Sequence, residues 1–122
     1  YHPPELYVYY YKDRPILSYN EVIPMMRSLA EAVHFLHSCG YVHRDIKRNN
    51  VRFWGKAVLI DFDLAIPWRR GDALITGKAG TKYWYAPEVA AGNAYDSAVD
   101  IWGIGMVLLD EILKYAYNSQ GN

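Results

Sequence analysis

The chain has 122 residues, 13 basic and 13 acidic side chains, one cysteine and 52% hydrophobic residues. That balance excludes an intrinsically disordered chain, which would need low hydrophobicity and high net charge. Cys39 has no second cysteine to pair with, which excludes a disulfide scaffold and fits a reducing compartment.

No run of about 18 uncharged apolar residues marks a membrane span, and no signal-peptide pattern opens the chain. The length suits one domain or part of one. The first residue is Tyr1 rather than Met, so a fragment or a processed piece is expected. Charge is unevenly spread. Between Arg44 and Lys82 nine basic residues face four acidic ones, a net +5 that the remainder offsets. A central positive field suits an anionic ligand such as a phosphate, and it also suits a solvated basic face.

Residues 7–11 are tyrosine-rich, and the segment from Glu5 to Tyr11 is too short for periodicity to choose between strand and helix. A helix is predicted over 18–38. Ser18 followed by Glu21 is a capping-box signature, and Met25, Met26, Leu29, Val33 and Leu36 recur at spacings of three and four. Pro24 requires the helix to begin near it or to kink there, and Gly40 supplies the stop. Val51-Arg52-Phe53 and Ala57-Val58-Leu59-Ile60 are β-prone runs around Trp54-Gly55, which predicts a hairpin. Residues 63–85 hold Pro67, Gly71, Gly77 and Gly80 without a sustained period, and a loop of that length is functional or disordered. A second helix is predicted over about 98–113. Its residues are apolar nearly all round, so burial on every side is expected, with too little chain after it to provide the cover.

The chemistry concentrates after the first helix, in His43-Arg44-Asp45-Ile46-Lys47-Arg48-Asn49-Asn50 and then Asp61-Phe62-Asp63. The hairpin between them can bring together two carboxylates, an ammonium and an amide, a set able to handle a metal-bound polyphosphate. Asp61 and the Asn50 amide oxygen are hard ligands of the kind Mg²⁺ prefers. Lys47 can neutralise a phosphate, and Asp45 is left to accept a proton from an attacking hydroxyl.

His43-Arg44-Asp45-x-Lys47-x-x-Asn50 followed by Asp61-Phe62-Asp63 resembles the catalytic loop and metal-binding triplet of eukaryotic protein kinases. Gly80-Thr81 and Ala86-Pro87-Glu88 resemble the end of the kinase activation segment. Asp100-Ile101-Trp102-Gly103-x-Gly105 resembles the start of the central helix of the C-terminal lobe. The resemblance implies an α+β fold: a mainly helical, incomplete C-terminal lobe with a small β-hairpin. Its parts would be a catalytic loop at 43–50, a triplet at 61–63, an activation segment at 61–88 and a central helix at about 98–113, with the N-terminal lobe absent. It implies Asp45 as catalytic base, Lys47 on the transferred phosphate, and Asn50 and Asp61 on Mg²⁺, with ATP as phosphate donor. Lys47 resembles the serine/threonine-specific type, as does Thr81, whose hydroxyl in such kinases bridges the base and the lysine. His43 and Phe62 would stack in a hydrophobic spine. Asp100 would accept N–H bonds from the catalytic loop. Glu88 would be exposed or mispaired here. Arg44 would pair with a phosphate on the activation loop, with Thr76 the first acceptor and Tyr83 a second.

Three departures accompany these matches. Asp63 stands where glycine is usual, which implies modified rather than absent activity. Arg48 replaces the usual proline, a change expected to be tolerated on a surface turn, and the hairpin looks shorter than usual. No G-x-G-x-x-G loop occurs, and no strand lysine with a helix glutamate precedes Tyr19, so these residues alone are expected to be inactive. The tyrosine pair before the first helix, Met26-Arg27-Ser28-Leu29 and Ala79-Gly80-Thr81 are similar to the cell-division-cycle kinases that fire replication origins. That branch implies an activating regulatory subunit beside the protein substrate, and an intracellular site, cytoplasmic or nuclear. Neither a membrane nor direct nucleic-acid contact is expected. The alternative to an enzyme is a pseudokinase or truncated paralogue acting as a binding scaffold.

Overall fold

The computed structural model describes residues 17–53 and 55–119, and the segment 5–11, left open between strand and helix, lies outside them. The first helix, α1 (Tyr19–Ser38), starts where the capping signature puts it. The Ser18 N–H donates to Glu21 Oε1 at 2.9 Å, and the Ser18 carbonyl accepts from Glu21 and Val22. α1 therefore begins five residues before Pro24 and runs through it, rather than starting there. Pro24 is exposed, and the helix continues through it. Met25, Leu29 and Val33 bury completely against Ile46, Val51, Ala57, Leu59 and Val107. Each such side chain contributes about 1.5–3 kcal/mol.

Past Gly40 the chain enters β1 (Tyr41–Val42), then the catalytic-loop residues and a 3₁₀ turn (Arg48–Asn50). The expected hairpin follows as β2 (Val51–Phe53) and β3 (Ala57–Leu59), with Val51 opposite Leu59 and Phe53 opposite Ala57. It lies on α1, where the Ala57 N–H donates to Ser28 Oγ at 2.6 Å.

Much of the long loop has its own fastenings. β4 (Ile66–Pro67) pairs antiparallel with β1, and Ile75 and Tyr95 exchange backbone bonds of 2.8 and 2.9 Å. A second 3₁₀ turn (Lys82–Trp84) leads into the one-turn helix α2 (Pro87–Ala90). Val42, Ile75, Ala86, Val89 and Tyr95 form a second core beneath this segment.

The last helix, α3 (Ala98–Ser119), departs from expectation twice. It runs past residue 113, because no glycine or proline interrupts it between Gly105 and Gly121. It is also not buried on all sides. Ile101, Ile112 and Tyr115 are more than half exposed, at 57%, 55% and 60%, whereas Asp100, Asp110 and Lys114 are at most 1% exposed. The inward face, at 100, 103, 107, 110, 111 and 114, follows helical spacing but is largely charged. Glu111 resolves the apparent conflict by accepting Lys114 Nζ at 2.9 Å on one oxygen and Arg48 Nε on the other. Arg48 thus sits in an ion-pair cluster rather than on a solvated turn. Among the described residues no helix is long and apolar enough to cross a membrane.

Candidate active site

The catalytic-loop residues hang from one buried carboxylate. Asp100 of α3 accepts the His43 N–H at 2.8 Å and the Arg44 N–H at 2.9 Å, and its Oδ2 also lies 2.8 Å from His37 Nε2. Arg44 has φ +72, a left-handed conformation that a long side chain adopts only under restraint. Its side chain supplies more restraint, with Nε donating to the Leu64 carbonyl at 2.8 Å and Nη1 to the Tyr95 hydroxyl at 3.2 Å. Gly103 lets α3 approach this loop, since a Cβ there would lie 2.7 Å from Ile46 Cβ.

Four of the predicted site residues meet directly. Thr81 Oγ1 donates to Asp45 Oδ1 at 3.0 Å and accepts Lys47 Nζ at 2.7 Å, so one hydroxyl joins the carboxylate to the ammonium. Asn50 Nδ2 donates to the Asp45 carbonyl at 2.8 Å and to Asp45 Oδ2 at 3.2 Å. Gly80 brings Thr81 this close: it has φ +107, and a Cβ there would lie 2.6 Å from the Arg44 carbonyl oxygen. His43 is fully buried, accepts the Asp45 N–H on Nδ1 at 3.1 Å, and meets Phe62 edge-on with ring centroids 5.1 Å apart.

Asp61 reaches the group through the backbone. The Ile60 N–H donates to the Asn50 carbonyl at 2.9 Å, which places Asp61 next to the loop. Asp61 has φ +59, the second non-glycine left-handed residue among those described, and its Oδ1 lies 3.3 Å from the Asp63 N–H. Both carboxylates are exposed. Asn50 spends its amide nitrogen on Asp45, so its amide oxygen remains as an acceptor. An amide oxygen and one exposed carboxylate fit Mg²⁺, which takes few protein ligands and keeps water and phosphate oxygens. Among the described residues no three His, Cys, Asp or Glu side chains gather as a self-sufficient metal site.

Two contributors had no signal in the sequence. Tyr95 and His37 hold the catalytic loop from positions 51 and 63 residues away from their partners, and neither belongs to a motif. Thr76 is exposed and precedes Gly77, whose carbonyl accepts the Tyr95 hydroxyl at 2.7 Å. Glu88 is half-buried on α2 rather than exposed, and among the described residues it makes no ion pair.

The family profile described as the protein kinase domain matches residues 2–121. The chain belongs to the protein kinase family. It is 35% identical over 99 residues to the serine/threonine-protein kinase STE20 of Eremothecium gossypii, covering 80% of this chain and 10% of that protein. It is 34% identical over 99 residues to STE20 of Saccharomyces cerevisiae, again covering 80% of this chain and 10% of the relative. The eukaryotic translation initiation factor 2-alpha kinase 3 of Bos taurus is 36% identical over 106 residues, 75% of this chain and 9% of that protein. The kinase chain described here thus spans about a tenth of the length of these curated relatives. Its α+β architecture, helical with two small antiparallel pairings, is that of a partial kinase fold.

Proposed function

We propose that the protein carrying this chain transfers the γ-phosphate of ATP to serine or threonine hydroxyls of protein substrates. The observation that carries the reading is the Thr81 hydroxyl held between Asp45 and Lys47. Asp45 orients the substrate hydroxyl and takes its proton as the hydroxyl oxygen bonds to the γ-phosphorus. The bond to the β-phosphate oxygen breaks, and ADP leaves with the electron pair. Lys47 stays beside the transferred group and offsets its charge. Asn50 and Asp61 would hold Mg²⁺, which when bound neutralises charge on the phosphates. The similarity to cell-division-cycle kinases supports an activating regulatory subunit as a further partner, and an intracellular site, cytoplasmic or nuclear. Because residues 1–122 hold no glycine-rich loop, this piece alone is expected to be inactive.

The test incubates the intact protein with Mg²⁺-ATP and serine- and threonine-containing proteins, beside its Asp45→Asn variant. Expected is phosphoserine or phosphothreonine formation that falls by about 10²–10⁴ in the variant. Transfer that Asp45→Asn leaves intact, or no transfer at all, overturns the reading. A scaffold without transfer is the second reading, favoured by Asp63 and the exposed apolar side of α3.

A further inference from the structure

The segment that ends on the Asp45–Thr81–Lys47 group has a charge pattern of its own. Between Gly77 and Pro87 it carries Lys78 and Lys82 and no acidic residue. Lys82 follows Thr81 directly, and Lys78 lies two residues before Gly80, whose backbone rests on the Arg44 carbonyl. Both lysines are exposed, and among the described residues neither side chain has a hydrogen bond or an ion pair.

Neighbouring cations are already engaged. Arg44 bonds Leu64 and Tyr95, Lys47 bonds Thr81, Arg48 bonds Glu111, and Arg69 bonds the Cys39 carbonyl. Several nearby carboxylates are engaged as well, while the exposed Asp61 and Asp63 lie at the cation position. Asp100, Asp110 and Glu111 are buried, while Asp72 and Asp96 accept backbone N–H groups in their own turns. A peptide whose hydroxyl reaches Asp45 therefore passes two unspent ammonium groups. A basic peptide would meet like charge at Lys78 and Lys82.

We propose that the substrates are acidic segments, in which carboxylates flanking the reacting serine or threonine are recognised by Lys78 and Lys82. This rests on the phosphotransfer reading above. Each exposed pair contributes modestly and is screened by salt, so the two lysines together set about a tenfold preference at low ionic strength.

Binding is measured first, without turnover. The intact protein is titrated with fluorescein-labelled peptides in which one serine is flanked either by glutamates or by lysines. The glutamate peptide should bind about tenfold more tightly, with the gap closing as salt rises. The Lys78→Glu/Lys82→Glu double variant should lose the preference, and Lys78→Arg/Lys82→Arg should keep it. Equal binding of the two peptides, or a preference that survives the double charge reversal, overturns the proposal. With Mg²⁺-ATP, the ratio of kcat/KM for the two peptides should follow the binding ratio. Equal transfer to both overturns the acidic assignment and leaves phosphotransfer standing. Preferential binding with transfer to neither peptide nor to any other serine or threonine substrate supports acid recognition and overturns phosphotransfer.

Discussion

Arg44 and Tyr95 are joined by a side-chain hydrogen bond of 3.2 Å, and the Tyr95 hydroxyl continues at 2.7 Å to the Gly77 carbonyl. One phenol thus ties the catalytic loop to the segment that carries Thr76. Tyr95→Phe keeps the buried ring and removes the hydroxyl, leaving the Gly77 carbonyl without this donor. The expected cost is about 1–2 kcal/mol, a fall in Tm of roughly 4–8 °C for a domain of this size. Faster amide exchange confined to residues 76–80 should accompany it. A Tm within one degree of the parent, with unchanged exchange, would show that the phenol restrains nothing.

Thr81 offers a cleaner separation of chemistry from stability. Its hydroxyl touches both Asp45 and Lys47, at 3.0 and 2.7 Å. Thr81→Ser retains that oxygen and Thr81→Ala removes it. In the intact protein, Thr81→Ala should lower kcat by about 10–100-fold with little change in KM for ATP, because orientation of the base is lost while the charges remain. Thr81→Ser should stay within about threefold of the parent. Equal losses in the two variants would transfer the effect from the hydroxyl to the missing methyl group.

Glu111 is expected to be costly to neutralise. It is 4% exposed and carries both Arg48 and Lys114, the latter fully buried. Removing the carboxylate that two largely buried cations share costs about 3–5 kcal/mol. Glu111→Gln should therefore shift the urea midpoint strongly downward. Replacing Arg48 with proline, the residue usual at that place in the family, should cost less, because Lys114 keeps its carboxylate. Urea denaturation of the three proteins ranks these effects, and the reverse order would mean that Arg48 rather than Lys114 carries the cluster.

These cases mark what could be read from the chain and what could not. Ser18 with Glu21 and the paired β-runs are local signals, and the start of α1 and the hairpin follow from them. The proximity of Asp45, Lys47 and Asn50 was legible because a catalytic loop packs its chemistry into eight residues. The interior of α3 was not legible. Hydrophobic periodicity registers which side chains are apolar, whereas Glu111 and Lys114 face inward because they satisfy one another and Arg48, 63 residues upstream of Glu111. Asp100 and His37 are likewise 63 residues apart, as remote in sequence as they are close in space. Pairing at that range leaves no period and no motif.

Asp63 bears on cation dependence. It stands where the family has glycine, it is exposed, and its N–H lies 3.3 Å from Asp61 Oδ1. A second carboxylate two residues from Asp61 adds negative potential to any cation held there, and affinity in such oxygen sites rises with ligand charge. Asp63→Gly in the intact protein should therefore raise the Mg²⁺ concentration needed for half-maximal transfer by several-fold. The same substitution frees the backbone at 63, so kcat at saturating Mg²⁺ should hold or rise. Titrating transfer against Mg²⁺ separates the two effects. A midpoint that stays put would mean that the Asp63 carboxylate is spent on solvent and that Asp61 and Asn50 alone set the cation affinity.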